Sequence, residues 1–300
     1  MNILDIIGKT PLLELSNISK ENAGIKLFAK AEFLNPSGSI KDRAAKAMIL
    51  DGVKRGLLTK DKTIIDATSG NTGIAYAMLG AVLGFNVTLY MPQNASVERK
   101  RIIKSFGAKV VETDPLESSD GAFLRAKEAY ENNPQIYFYP NQYNNPINPQ
   151  THYENTGVEI LTQTENKITH FIAGAGTSGT FMGVSRRLKE FNPSIKTILV
   201  QPNSPFHGIE GTKHLASTIK PSIFNDTYID DTITVSTEEA YAMARSLAAK
   251  EGIFTGISSG ANIAAALKLA KTLPKGSLIV SVLCDSGSRY LSDSFWDKPL

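Results

Sequence analysis

The sequence predicts an α/β protein built from two doubly wound domains, and three observations predict it. Short runs rich in β-branched and aromatic residues alternate with amphipathic helical patterns along the 300 residues. Alternation of that kind produces parallel sheets covered by helices on both faces. Nine strand-like runs exceed what one sheet usually holds, so they divide between two domains.

In chain order, a strand at 26–33 leads to a helix at 40–55, and a strand at 63–67 to a helix at 72–83. Strands at 86–91 and 109–113 are followed by helices at 96–106 and 121–131. A strand at 136–139 runs into the segment 139–149, where Pro140, Pro146 and Pro149 stand among asparagines. That composition marks a boundary between halves. Beyond it lie a strand at 169–173 with a helix at 180–190, then strands at 196–201 and 228–235. Helices at 237–250 and 260–272 precede a last strand at 277–284. The helix at 237 has the clearest start: Ser236 and Glu239 have capping-box spacing, and Gly252 stands past its end.

Composition narrows the function. Hydrophobic residues are 42% and charged residues 20% of the chain, the proportions of a soluble globular protein. The net charge is only +3, and no basic block is longer than Arg99-Lys100-Arg101. No nucleic-acid or membrane partner is expected of so dispersed a charge. The longest uncharged stretch, 67–97, holds Asn71, Asn86, Pro92, Gln93 and Asn94, which does not suit a membrane span. Cys284 is the single cysteine and no leader precedes the first helix pattern, so a cytoplasmic location is expected. His152, His170, His207 and His214 lack metal-ligand spacing, and no metal site is expected.

Ligands of α/β proteins bind at the carboxyl ends of parallel strands. Three loops there are rich in small polar residues. Gly174-Ala175-Gly176-Thr177-Ser178-Gly179-Thr180 follows the strand at 169–173 and opens a helix. Glycines let backbone approach an anion, and a helix N-terminus presents free N–H groups to it. The glycine spacing also matches a dinucleotide fingerprint, but no acid ends the next strand at Val200-Gln201-Pro202. The hydroxyls of Thr177, Ser178 and Thr180 suit a phosphate monoester better. Thr68-Ser69-Gly70-Asn71-Thr72-Gly73 follows the strand at 63–67 and could hold a carboxylate, or be a simple helix cap. Asn35-Pro36-Ser37-Gly38-Ser39-Ile40-Lys41-Asp42-Arg43 places Lys41 in the first turn of a helix. The helix dipole disfavours an ammonium there, which suits a lysine acting as an amine nucleophile or base. The plainer alternative is a solvated lysine paired with Asp42.

Taken together, these segments resemble the cysteine synthases, or O-acetylserine sulfhydrylases, of the fold-type II pyridoxal-phosphate enzymes. Gly8-Lys9-Thr10-Pro11-Leu12, Gly256-Ile257-Ser258-Ser259-Gly260 and Asp285-Ser286-Gly287-Ser288-Arg289-Tyr290 extend the match in family order from residue 8 to 290. Met91-Pro92-Gln93-Asn94, Tyr143-Asn144-Asn145-Pro146 and Leu283-Cys284-Asp285 resemble the B-type branch most.

The resemblance implies a tryptophan-synthase-β-like fold of two α/β domains with the cofactor, pyridoxal 5′-phosphate, in the cleft between them. A smaller mobile domain would span 40–145, and a larger one 1–39 plus 146–300. Lys41 would bind the cofactor covalently and carry the substrate α-proton. Asn71 would meet the cofactor 3′-oxygen, and Gly176, Thr177, Ser178, Gly179 and Thr180 its phosphate. Thr68, Ser69, Thr72 and Gln142 would hold the substrate carboxylate. Either Ser258 or Ser286 would face the pyridine nitrogen, where a neutral hydroxyl favours β-elimination over a long-lived carbanion. The implied reaction is β-replacement: O-acetyl-L-serine loses acetate to give an α-aminoacrylate, and a sulfur nucleophile adds to give L-cysteine. Glu210-Gly211 follow Gly208-Ile209, where some thiosulfate-using members of the B branch carry a basic pair, so sulfide is the expected donor, with other thiols left open. A short cystathionine β-synthase, or an enzyme replacing the thiol of cysteine and releasing sulfide, shares the same motifs. A dinucleotide-binding oxidoreductase leaves Lys41 unexplained. The resemblance also implies a homodimer.

Overall fold

Parallel strands are buried on both faces, and the apolar runs of this chain sit in such strands. The computed structural model describes the 300 residues except Ala23, Ser69 and Leu300, and except the side chains of Ser118 and Ser119. The chain forms β1 (Leu12–Glu14), β2 (Lys26–Ala31), α1 (Lys41–Lys54), β3 (Thr63–Ala67), α2 (Asn71–Leu83), β4 (Asn86–Pro92), α3 (Val97–Ser105), β5 (Lys109–Thr113), α4 (Ser118–Asn132) and β6 (Tyr137–Phe138). Then α5 (Ile147–Thr151) passes through a π-turn at His152–Thr156 into α6 (Gly157–Gln163). The rest is β7 (His170–Gly174), α7 (Gly179–Phe191), β8 (Lys196–Pro202), β9 (Asp231–Val235), α8 (Thr237–Glu251), α9 (Ile257–Ala270) and β10 (Leu278–Leu283).

These elements divide into two compact units, Met1–Ile7 with Asn35–Asn148, and Gly8–Leu34 with Pro149–Leu300. The first holds a four-stranded sheet in the order β5-β4-β3-β6, parallel throughout. The second holds a six-stranded sheet in the order β1-β2-β10-β7-β8-β9, in which only the β1–β2 pair is antiparallel. The predicted α/β class and its two sheets are therefore present. Residues 1–7, expected with the larger domain, belong to the first unit. Ile7 is buried in its core, and Lys46 Nζ donates to the Leu4 carbonyl at 2.7 Å.

In the first unit α2 is apolar on every side, and Ile74 through Gly80 are all buried. Its glycines bring it close to the sheet: a side chain at Gly80 would overlap Val87, and one at Gly73 would overlap Thr68. In the second unit α9 is the equally buried helix. Lys30 of β2 is fully buried there, 2.6 Å from Glu159 Oε2 and donating to the Thr10 carbonyl. Thr10 in turn donates its hydroxyl to Glu32 Oε1 at 2.6 Å. These bonds fasten β2 to α6 and to the segment before β1.

The capping box at Ser236 and Glu239 is formed, and Gly252 ends α8 in the left-handed conformation. The helix expected from 260 starts at Ile257, which brings Ser258 and Ser259 into its first turn. Gly260 lies where α9 meets α8. A methyl group there would overlap the Ala240 carbonyl oxygen and approach the Ala244 amide nitrogen to 2.9 Å. Gly260→Ala is expected to destabilise the protein by about 1–3 kcal/mol through overpacking. A urea denaturation midpoint unchanged by the substitution would show that the two helices can part without cost.

Candidate active site

In the first unit, two of the predicted loops sit at sequence positions that the sheet makes chemically useful. Lys41 is the first residue of α1 and is half-buried. Asp42 does not pair with it. Asp42 turns back onto Ser37, accepting its N–H at 2.7 Å and also its hydroxyl. That bond closes the turn 35–39, in which Gly38 has φ +85° and donates its N–H to the Asn35 carbonyl at 2.7 Å. Among the described residues nothing engages Lys41 Nζ, so the solvated ion pair with Asp42 is not formed and the amine is uncommitted.

The second loop leaves β3 and opens α2. Thr68 Oγ1 accepts N–H groups from Gly70 at 3.0 Å and Gly73 at 3.2 Å, which leaves the Thr68 proton to give. Asn71 is the first residue of α2 and Thr72 the second. Thr72 donates its hydroxyl to Gln142 Oε1 at 2.8 Å, and Gln142 Nε2 donates to the Ala67 carbonyl at 3.2 Å. Asn148 holds the Gln142 carbonyl at 2.8 Å. Thr68, Thr72 and Gln142, predicted to act together, are thus brought together. Ser69 lies outside the described residues. Arg99 of α3 packs against the backbone at Gly70, where any side chain would overlap its Cδ.

In the second unit, the turn 174–180 connects β7 to α7. A side chain at Gly176 would overlap the Gly211 carbonyl oxygen, so backbone meets backbone there. The loop is fixed from outside by Asn262, whose Oδ1 accepts the Gly174 N–H at 2.8 Å, and by Lys213, whose N–H reaches the Ala175 carbonyl at 2.9 Å. Ser178 adopts a left-handed backbone, φ +70°, and Gly179 begins the helix. His152, buried, places Nε2 at 3.3 Å from Thr180 Oγ1 and Nδ1 at 3.0 Å from Thr156 Oγ1, a core histidine braced by hydroxyls. The Ser178 hydroxyl donates to the Thr177 carbonyl at 2.5 Å, so small residues, a helix N-terminus and the Thr177 and Thr180 hydroxyls form the donor set that fits a phosphate monoester.

The two candidate serines differ. Ser286 caps the 3₁₀ turn Gly287–Tyr290: its Oγ lies 2.8 Å from Ser288 Oγ and accepts the Ser288 N–H at 3.3 Å. Ser258 is buried in the first turn of α9, and among the described residues its hydroxyl has no hydrogen bond. Its neighbour Ser259 is fully engaged, accepting from Thr255 Oγ1 at 2.7 Å and from the Cys284 N–H at 2.8 Å. Cys284 is half-buried in this network.

Sequence reasoning passed over Asp66 and Asn262. Asp66 carried a signal, since an acid interrupts the apolar run Ile64-Ile65 one residue before the end of β3. It is 1% exposed, and burial pushes its carboxyl up to about 7, against weaker pulls from the Ala67 and Gln142 amides and the Tyr76 hydroxyl. Burial and then Asp66 itself raise Tyr76 as well, and push Tyr143 up to about 12. Asn262 sits among alanines and isoleucines in α9, where a polar side chain needs a partner. Among the described residues no group of three His, Cys, Asp or Glu could hold a metal, and no helix is long and apolar enough to cross a membrane.

Two parallel α/β units, an uncommitted helix-start lysine and a phosphate-shaped glycine turn define a class of enzyme. The family model described as pyridoxal-phosphate dependent enzyme matches residues 3–285, and the chain belongs to that family. Among its relatives, the cysteine synthase of Aquifex aeolicus is 53% identical, covering 99% of this chain and 92% of that one. Cysteine synthase B of Salmonella typhimurium is 40% identical over 97% of this chain and 95% of its own. The crystal structure of a cysteine synthase from Entamoeba histolytica is 36% identical with a TM-score of 0.94, covering 100% of this chain and 91% of that chain. The fold is that of the fold-type II enzymes, and the protein is an enzyme.

Asp66 also predicts a pH dependence of stability. Its folded pKa of about 7 lies above the ordinary value of 3.8, so the folded state binds the proton more tightly. The stability this proton supplies is complete below about pH 4 and is lost as pH rises through 7. Asp66→Asn is expected to remove that loss, on the order of 4 kcal/mol across the window. Melting temperatures of the two proteins from pH 4 to 8 test it; parallel curves would contradict it.

Proposed function

We propose that this chain is a pyridoxal-phosphate-dependent cysteine synthase that converts O-acetyl-L-serine and sulfide to L-cysteine and acetate. The observation that carries the reading is Lys41: it opens α1, and its neighbour Asp42 is spent on Ser37 rather than on the lysine. Lys41 holds the cofactor and then serves as the base and acid at the substrate α-carbon. Asn71 meets the cofactor ring oxygen, and the 176–180 turn binds its phosphate by N–H and hydroxyl donors. Ser258 faces the ring nitrogen with its free hydroxyl, while Ser286 remains a turn cap. Pyridoxal phosphate, when bound, supplies an electron sink for charge developing at the α-carbon.

The chain's own groups do the rest. Thr68 gives its free proton, and the N–H groups opening α2 add theirs, to the substrate carboxylate. Ser69 contributes from the same loop, and Thr72 and Gln142 fix its far end. A neutral serine at the ring nitrogen leaves that nitrogen without a charged partner. Loss of acetate therefore accompanies removal of the α-proton by Lys41, and the same amine returns the proton after sulfur adds at Cβ. Small-molecule substrates, a homodimer and a cytoplasmic location accompany this reading.

The test is spectroscopic. The purified protein is expected to carry a visible chromophore that shifts on adding O-acetylserine and returns on adding sulfide. A chromophore that ignores O-acetylserine but answers to serine or cysteine would move the acceptor to another β-replacement substrate. Lys41→Ala is expected to lower turnover by at least about a thousandfold, because one amine supplies both cofactor attachment and proton transfer. Near-normal rates in that variant would end the assignment.

A further inference from the structure

Beneath the 68–73 loop lies a buried polar cluster that the chemistry above leaves unused. Asp66 Oδ1 accepts the Ala67 N–H at 2.8 Å. The carbonyl of the same Ala67 accepts Gln142 Nε2 at 3.2 Å, and Gln142 Oε1 accepts the Thr72 hydroxyl at 2.8 Å. One residue of backbone and one amide side chain therefore join Asp66 to the loop. Its second oxygen, Oδ2, is buried without completing a hydrogen bond, as are the hydroxyls of Tyr76 and Tyr139. An acid placed so is held by its environment rather than by a cation.

We propose that Asp66 is the positioning residue of the carboxylate-binding loop: through Ala67 and Gln142 it sets where the Thr72 hydroxyl points, and gain or loss of its proton sets how tightly the loop binds a substrate carboxylate. The inference rests on the reading that the Thr68 hydroxyl and the N–H groups opening α2 receive that carboxylate.

The groups around Asp66 fix the sign. Tyr76 faces it from α2, and Tyr139 and Tyr143 from the segment after β6. On α4, Asp120 acts on Tyr143 and Glu131 on Tyr139, and Arg99 of α3 lies against Gly70. Burial holds the carboxyl neutral up to about pH 7. Above that pH a negative charge appears under a loop that must receive another. It repels the incoming carboxylate and tightens the pull on the Ala67 amide, and binding weakens.

The experiment titrates holoenzyme with L-methionine, an amino acid without a β leaving group, and reads the cofactor absorbance from pH 6 to 9. Dissociation constants of wild type and Asp66→Asn are taken as a ratio, which cancels the titration of the ligand. The ratio is expected near one at pH 6 and about tenfold at pH 8.5, the wild type binding more weakly. Tyr76→Phe is the second variant. The Tyr76 hydroxyl eases ionisation of Asp66, so its removal moves the wild-type transition to higher pH. A ratio constant across the range overturns the inference, and so does an unshifted transition in Tyr76→Phe if Asp66→Asn does not fold. Binding that follows the predicted ratio supports it. Absence of binding at every pH overturns the carboxylate-loop reading and this inference together.

Discussion

Everything chemical in this protein depends on how a parallel strand must end. Its chain has to turn upward into a helix within a few residues, so the last backbone amides of the turn and the first of the helix face the same way. Small residues decide how close a ligand can come. At Gly176 backbone lies so near the Gly211 carbonyl that no side chain fits, and at Gly73 none fits beside Thr68. Both turns thereby spend their space on N–H donors. The helices behind them, α7 and α2, are packed into buried positions that do not give way when an anion arrives.

Charge is allotted sparingly around these turns. Asp42 braces its own loop, and Asp66 lies under the next without a cation on it. Ser258, proposed above to face the ring nitrogen, is neutral. An enzyme that must strip a proton and expel acetate in nearly one motion gains from this restraint, because a strong counter-charge would trap an intermediate instead of releasing it. The ion pair of the buried Lys30 with Glu159 tethers secondary structure.

The sequence showed most of this where residues adjacent in the chain are also adjacent in space. The three glycine loops, the Ser236 cap and the alternation of strand and helix are all contiguous, and each was readable. The Thr72–Gln142 bond joins residues 70 apart, so its geometry came from the fold, with only the family resemblance pairing them beforehand. The helix α5 was hidden by composition: Pro146 and Pro149 look like breakers, yet Pro149 occupies the first turn of α5, where a missing N–H is harmless. Gly260 misled in the opposite way, reading as a helix start when it is a close-packing residue inside one. The three-residue β1 is too short for any period to register.

The sheet order of the second unit has a consequence for how the chain is made. Strand β2 lies between β1 and β10, and β10 also pairs with β7. During synthesis β2 emerges early and finds only a three-residue antiparallel neighbour, while its long parallel partner is the last strand of the chain. The first unit, whose sheet strands all lie between Thr63 and Phe138, can assemble while the ribosome is still working. The second must wait with an open strand edge until residues 278–283 pair with β2 and β7.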